Sequence, residues 1–129
     1  MESRLFGDAK ASARSRDAGH KQEQYKQAKS AYEANPADET RVALALAAFD
    51  VGKFNEAELH YAKLVESYPN DLDLLTNLAF TYKNLSKLDD AKRTFLRVVE
   101  VNPKHNLARS AENEVWMIDP TYKPSWMRR

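Results

Sequence analysis

Apolar residues along most of this chain recur every three or four positions, the spacing that places them on one face of an α-helix. The pattern is interrupted at Asn35-Pro36, Gly52, Pro69 and Pro103, residue types that commonly end helices. One helix is predicted from about residue 17 to Asn35-Pro36. The helices predicted after it span about residues 38–51, 55–68, 72–85, 89–101 and 106–118.

The helical pattern occurs twice between Asp38 and His105, with a period of 34 residues. Residues 38–71 and 72–105 are identical at seven aligned positions. These pairs are Leu44/Leu78, Ala45/Ala79, Lys53/Lys87, Ala57/Ala91, Val65/Val99, Glu66/Glu100 and Pro69/Pro103. A period of this length is typical of stacked helical units, because one unit alone cannot bury its apolar face. The sequence therefore predicts an all-α fold of repeated helix–turn–helix units.

The two repeats differ at the turn between their helices. Gly52 ends the first helix of repeat one, whereas Ser86 stands at the same place in repeat two. A left-handed turn conformation costs more for serine than for glycine, so we expect the second turn to be slightly altered. Asn55, just after the first turn, is the predicted N-cap of the next helix.

The repeats are flanked by less regular segments. We predict a flexible N-terminal arm at residues 1–16, a degenerate half-repeat at 17–36, and a capping helix at 106–118 that begins a third repeat. The tail, residues 119–129, carries Tyr122, Trp126 and Met127 without helical periodicity. We expect Tyr122 and Trp126 to fold back over the last helix; alternatively, this aromatic and doubly basic end is a linear motif that binds another protein.

The repeated residues resemble the tetratricopeptide repeat (TPR) family, whose ordered signature is Trp, Leu, Gly, Tyr, Ala, Phe, Ala and Pro. The matching residues of repeat one are Arg41, Leu44, Ala45, Ala48, Ala57, Tyr61, Leu64 and Pro69. Those of repeat two are Leu75, Leu78, Ala79, Tyr82, Ala91, Phe95, Val98 and Pro103. The third unit departs from the signature, with Arg109, Glu112 and Asn113 where Trp, Leu and Gly would stand. The resemblance implies a TPR solenoid, a right-handed α–α superhelix that spans residues 17–118.

The resemblance also implies that the first helix of each repeat lines a concave groove for an extended peptide or a partner helix. Carried onto this chain, the groove residues are Glu39, Val42, Ala43, Leu46, Phe49, Asp50, Asp73, Thr76, Asn77, Phe80, Lys83, Asn84, Ser110, Glu114 and Met117. Leu46, Phe49 and Phe80 could equally be core residues. Some TPR proteins bind the C-terminal carboxylate of heat-shock chaperones with a Lys, Asn, Asn, Lys and Arg clamp. Only Asn77 matches that clamp, so we predict an apolar ligand instead of a chaperone tail.

The charge of the chain gives no overall attraction to nucleic acid or to a membrane. Its formal net charge is +1, although repeat one carries −4 and repeat two +2. The longest apolar run, Val42 to Phe49, is too short to span a bilayer, and we expect neither a signal peptide nor membrane insertion. Cysteine is absent, which leaves the redox compartment open. A cytoplasmic location is the weak expectation that follows.

Residue patterns for catalysis or metal binding are sparse. The three glycines are isolated, which excludes a Gly-rich phosphate loop, and Glu56 and His60 share one helix face without a third metal ligand. Lys92, Arg93 and Arg97 form a basic strip on the second helix of repeat two, which we interpret as a solvated face. We therefore predict no enzyme activity, no cofactor, no metal site and no nucleic-acid partner.

Two functions remain open from the sequence. In the first, the chain is a non-enzymatic adaptor that binds a peptide or an amphipathic helix in the TPR groove. In the second, it is a structural assembly module, a homo-oligomer or a fixed subunit of a larger complex, whose groove or tail serves self-association.

Overall fold

The fold is all-α, as predicted. In the computed structural model, the backbone is described for residues 10–128 and the side chains for residues 18–128. This part of the chain contains no strand. Its helices are α1 (Lys10–Ala34), α2 (Asp38–Asp50), α3 (Phe54–Ser67), α4 (Leu72–Asn84), α5 (Leu88–Val101) and α6 (Asn106–Ile118), followed by a short 3₁₀ helix (Ser125–Met127).

The helix bounds repeat with the period of the sequence. Moving α2 by 34 residues gives α4, a second step gives α6, and α3 moved once gives α5. The α1 helix begins at Lys10, so the predicted boundary after residue 16 lies inside it; residues 1–9 of the predicted arm lie outside the described residues. Since each repeat contributes the same two helices, the structure agrees with a helical-repeat fold.

Matching N-caps start two of these helices. Asp71 Oδ1 accepts a hydrogen bond from Leu74 N at 3.0 Å before α4, and His105 Nδ1 accepts one from Leu107 N at 3.0 Å before α6. Each bond satisfies one of the backbone N–H groups that a helix leaves unpaired at its start. Asn55 is not a cap: α3 already begins at Phe54, directly after the turn that Lys53 closes.

The turns at Gly52 and Ser86 have the same conformation, contrary to the expected alteration. Gly52 has φ of 84° and Ser86 has φ of 60°, both in the left-handed region. Lys53 N bonds to Ala48 O at 2.8 Å, and Lys87 N bonds to Tyr82 O at 2.9 Å. This six-residue closure is the Schellman motif. Ser86 adopts a conformation unfavourable for its side chain, and the turn geometry is kept.

The described chain divides into two compact units between Lys53 and Phe54. The first contains α1 packed on α2, with Leu44, Ala45 and Ala48 buried along α2. The Thr40 hydroxyl stabilises the connection between α1 and α2. It donates to Asn35 O at 2.7 Å and accepts from Ala37 N at 3.0 Å. This bond pair fixes the angle at which the chain enters α2.

The second unit contains α3 to α6 and the tail. Consecutive helices pack on each other, and the core is formed by a cluster of fully or nearly fully buried side chains. Its members are Leu75, Ala79, Ala91, Phe95, Val98, Ala111 and Val115. Ala79 and Ala91 are completely buried, which is consistent with close helix crossings at alanine. Ala108, Ala111 and Val115 form the buried face of α6, with the partly buried Leu107 and Ile118 at its edges.

Candidate protein-interaction surfaces

A cleft between α1 and α2 is the open concavity of the first unit. Its volume is about 400 Å³, and the residues that line it are Gln24, Gln27, Ala28, Ala43, Leu46, Ala47 and Asp50. The floor is mostly alanine and the rim is polar. Three of the predicted groove residues, Ala43, Leu46 and Asp50, therefore share this cleft.

The apolar side chains of α2 divide between its two faces. Leu44 is 2% exposed and Ala45 and Ala48 are fully buried, whereas Val42 is 38% and Leu46 49% exposed. Val42 and Leu46 are four residues apart and so lie on one side of the helix. Leu46, which the sequence left open between core and ligand surface, is a surface residue. Glu39 and Asp50 are exposed, and Phe49 is half-buried.

Two cation–π contacts hold α1 against α2 beside the cleft. The Arg41 guanidinium on α2 lies 5.1 Å from the centre of the Tyr32 ring on α1. Lys53 Nζ lies 5.4 Å from the ring centre of Tyr25, itself buried on α1. Each such contact contributes about 0.5–1 kcal/mol at a partly exposed site. The cleft is therefore a preformed feature of the first unit.

On the second unit, four of the nine predicted groove residues of α4 and α6 make side-chain contacts within the chain; they are Phe80, Lys83, Asn84 and Glu114. The Phe80 ring meets Phe95 edge to face, with centres 5.1 Å apart and an interplanar angle of 83°. Lys83 Nζ donates to Glu114 Oε1 at 2.7 Å, joining α4 to α6, and lies 5.8 Å from the Phe80 ring centre. Phe80 is half-buried against the core, so it has a packing role that Leu46 lacks.

The remaining predicted residues of this unit differ in accessibility. Thr76 is buried, and its hydroxyl has no hydrogen-bond partner among the described residues. Met117 is 63% exposed. Asn84 is exposed but donates from Nδ2 to Phe80 O at 2.9 Å. Asp73 and Ser110 are exposed and Asn77, the single match to the chaperone clamp, is half-buried.

The basic strip of α5 is neutralised within the chain. Lys92 Nζ donates to Asp119 Oδ2 at 2.5 Å, Arg93 pairs with Asp90, and Arg97 bonds Glu100 at 3.0 Å and Asn70 at 2.6 Å. The hydrogen bonds from Lys92 and Thr121 lower the pKa of Asp119 to about 2. Nearby, Lys87 bonds Glu58 at 2.9 Å, and this bond raises the lysine pKa. These pairs leave little unpaired positive charge for a polyanion such as RNA.

The tail folds back on α6, and the side chain that holds it is Glu112, which sequence reasoning missed as a functional position. Glu112 is 3% exposed. Its Oε2 accepts from Tyr122 Oη at 2.8 Å and from Ser125 N at 2.9 Å, and its Oε1 accepts from Ser125 Oγ at 2.7 Å. Arg128 Nη2 lies 3.8 Å from Oε2. A buried carboxylate is thus satisfied almost entirely by the tail.

Two opposing effects act on the Glu112 pKa. Burial raises it, whereas the hydrogen bonds from Ser125 and Tyr122 and the charge of Arg128 lower it by more, so the pKa lies below its ordinary value. Burial and the bond to Glu112 raise the Tyr122 pKa. The signal available in the sequence was the position of Glu112, which aligns with the core residues Leu44 and Leu78. An acidic side chain at this buried position needs hydrogen-bonding partners to offset the cost of burial.

Among the side chains described, those of residues 18–128, no cluster of three or more His, Cys, Asp or Glu residues is arranged to hold a metal ion. His60, which shares a face with Glu56, is buried on α3. No helix in the same part of the chain is both long enough and apolar enough to cross a membrane.

Comparison with known families agrees with the repeat geometry. One tetratricopeptide repeat profile matches residues 48–115, more than half of the chain, and a second matches residues 24–71. No curated protein matches the sequence significantly. The first profile spans the equivalent turns at Gly52 and Ser86 and the packed alanines Ala57 and Ala91. The chain belongs to the tetratricopeptide repeat family, whose members generally mediate protein–protein interactions.

Proposed function

We propose that this chain is a non-enzymatic adaptor that binds a peptide or an amphipathic helix of another protein. The observation that carries the proposal is the exposed Leu46, which lines the cleft between α1 and α2, with the exposed Val42 one helical turn before it on α2. Apolar side chains on a helix face that borders a preformed concavity gain free energy when a partner covers them. The TPR family supports the general class of function, and the cleft is the binding site that we propose for it.

The shape and composition of the cleft favour an amphipathic helix. Ala28, Ala43 and Ala47 make a shallow floor on which a partner backbone can approach closely, and Leu46 offers a larger apolar contact. Gln24, Gln27 and Asp50 form a rim able to hydrogen-bond polar groups of the partner. An apolar stripe with polar edges is the surface that helix-in-groove recognition uses.

The face formed by α4 and α6 has a secondary place in this proposal. Phe80 and the Lys83–Glu114 pair support the packing of their own unit. The exposed Asp73, Asn84 and Ser110 remain candidates for polar contacts with a partner. The alternative of self-association through the tail is less favoured, because Glu112 already binds the tail of the same chain.

The proposal is tested by charge substitution in the cleft. Val42→Glu and Leu46→Glu are combined in one variant, and Leu59→Glu on α3, where Leu59 is 65% exposed, is the matched control. Proteins captured by the wild type are identified by quantitative mass spectrometry, and binding of the captured partner's synthetic segments is measured by calorimetry. We expect the cleft variant to weaken binding at least about tenfold, while the control binds as the wild type.

A defined result would contradict the proposed binding site. If the captured proteins and their affinities are the same for the cleft variant and the control, the cleft is not the binding surface. Light scattering addresses the assembly alternative: a dimer that persists on dilution in the wild type and is lost in the cleft variant would favour self-association over an adaptor.

A further inference from the structure

Exposed apolar side chains concentrate at the C-terminal end of the second unit. Trp116 is 38%, Met117 63%, Trp126 44% and Met127 42% exposed. The tail brings Trp126 against Trp116, with ring centres 5.8 Å apart and planes at 84°. Tryptophan and methionine are enriched in protein-binding surfaces, because each gives a large apolar contact. Trp116, Trp126 and Met127 are called the tryptophan patch below.

The tryptophan patch is held in place by buried contacts. Ser125, the residue before Trp126, donates to Glu112 from both its backbone nitrogen and its hydroxyl, at 2.9 and 2.7 Å. Pro124 is fully buried, and Met127 N bonds to Pro124 O at 2.8 Å to close the 3₁₀ turn. A preformed aromatic surface loses little conformational entropy when it binds. The patch therefore has the rigidity of a binding site.

Around the tryptophan patch, the acidic side chains are paired within the chain, whereas two of the basic side chains are not. Each acidic side chain between residues 106 and 128 is engaged within the chain: Glu112 by the tail, Glu114 by Lys83, and Asp119 by Lys92. Arg109 and Lys123 have no side-chain hydrogen bond or ion pair to another described residue. The charge left available to a partner is consequently positive.

These cations border the patch. Arg109 precedes Glu112 by three residues and Trp116 by seven, so all three lie on one face of α6. Arg128 Nη1 donates to the backbone O of Lys123 at 2.5 Å, which joins these two residues of the tail. Arg128 is also 5.8 Å from the Tyr122 ring centre. The two tryptophans therefore share α6 and the tail with exposed basic residues, Arg109 on α6 and Lys123 on the tail.

We propose that the tryptophan patch is a second interaction surface, which binds an acidic amphipathic segment of another protein. Leucine or phenylalanine side chains of the segment would cover Trp116 and Trp126, and its carboxylates would face Arg109 and Lys123. The surface belongs to the second unit and is independent of the cleft between α1 and α2. An acidic partner is favoured because the local carboxylates are paired within the chain, whereas the side chains of Arg109 and Lys123 are not.

The test uses a fluorescein-labelled synthetic helix with Glu on one face and Leu and Phe on the other, and the same peptide with every Glu replaced by Lys. Fluorescence anisotropy measures binding to the full chain at low and at physiological salt. The variants are Trp126→Ala and the double substitution Arg109→Glu with Lys123→Glu. Leu59→Ala and Lys63→Glu on α3 are the matched apolar and charge controls, since both residues are exposed.

We expect the acidic peptide to bind at least about tenfold more tightly than the basic one, and each variant of the patch to weaken binding at least about tenfold. Binding should weaken as salt rises, whereas both α3 controls and Leu46→Glu should bind as the wild type. Equal binding of the two peptides, or unchanged binding by the double substitution, would overturn the proposal. So would phosphatidylserine vesicles that bind when the acidic peptide does not, or a concentration-dependent dimer that Trp126→Ala abolishes.

Discussion

The Ser125 hydroxyl donates a 2.7 Å hydrogen bond to the buried carboxylate of Glu112, thirteen residues earlier in the chain. This bond, together with those from Ser125 N and Tyr122, joins an irregular tail to the last helix of the repeat array. Glu112 occupies the position of Leu44 and Leu78, which are core residues of the two full repeats. After α6 the chain continues as an irregular tail, whereas α2 and α4 are each followed by a second helix. Hydrogen bonds from the tail to Glu112 replace the apolar packing of Leu44 and Leu78 at the equivalent positions.

Replacing Glu112 by alanine should release the tail. Glu112→Ala removes three hydrogen bonds to a carboxylate that is 3% exposed, so we expect the free energy of unfolding to fall by about 2 kcal/mol. Urea unfolding measures the loss, and near-ultraviolet circular dichroism reports the Trp116–Trp126 contact. Glu114→Ala is the control: Glu114 pairs with the half-exposed Lys83, so its loss should cost less than about 1 kcal/mol and leave the tryptophan signal intact.

The attachment of the tail should weaken in acid. The folded-state pKa values of Glu112 and Asp119 are both lowered, that of Asp119 to about 2. Depressed carboxyl pKa values stabilise the fold above the unfolded-state values near 4 and lose that contribution as pH falls through the folded values. Tryptophan fluorescence should therefore change between about pH 4 and 2. In Glu112→Gln this acid transition should be smaller; an identical transition would show that Glu112 does not control it.

The equivalent turns at Gly52 and Ser86 allow the cost of a left-handed backbone conformation to be measured. Ser86 holds φ of 60°, and replacing it by glycine should raise the free energy of unfolding by about 1 kcal/mol. Gly52→Ala should lower it by a similar amount, because a Cβ there meets no atom within 4 Å and only the backbone conformation penalises it. Thermal unfolding of both variants checks the pair. Two substitutions of the same sign would contradict the equivalence of the turns.

Thr76 should be replaceable by valine with a gain in stability. Its buried hydroxyl has no partner among the described residues, and repeat one has Val42 at the equivalent position. Thr76→Val should therefore raise the free energy of unfolding by about 1 kcal/mol. Thr81→Val is the control, since the Thr81 hydroxyl donates to Asn77 O at 2.7 Å and its removal should destabilise the protein. A loss of stability in Thr76→Val would mean that its hydroxyl is satisfied in solution.

The helices were predictable from the sequence because local signals agree with the repeat. Gly52, Pro69 and Pro103 mark helix ends, and the 34-residue period carries the boundaries from one repeat to the next. The N-cap predicted at Asn55 lies two residues too late, since α3 begins at Phe54 and the Lys53–Ala48 hydrogen bond ends the turn immediately before it. Helix ends assigned from sequence commonly differ from those of the structure by one or two residues.

The candidate surfaces were less predictable. Leu46 and Phe80 occupy equivalent positions in the two repeats, yet Leu46 is on the surface and Phe80 packs against Phe95. Periodicity identifies the face of a helix but not what lies opposite that face. The partners of Glu112 were hidden for another reason: Tyr122 and Ser125 lie in a segment without a period, so only the folded chain shows which donors reach the carboxylate.

Photocrosslinking from the cleft tests the adaptor proposal most directly. A benzoylphenylalanine residue is introduced at position 46 in one variant and at position 59 in another, because Leu46 and Leu59 are both exposed and only Leu46 lines the cleft. After irradiation in native lysate, mass spectrometry identifies the crosslinked peptides. The proposal predicts a discrete partner segment of amphipathic sequence attached at position 46 and not at position 59. The same set of crosslinks at both positions, or none at position 46, would contradict it.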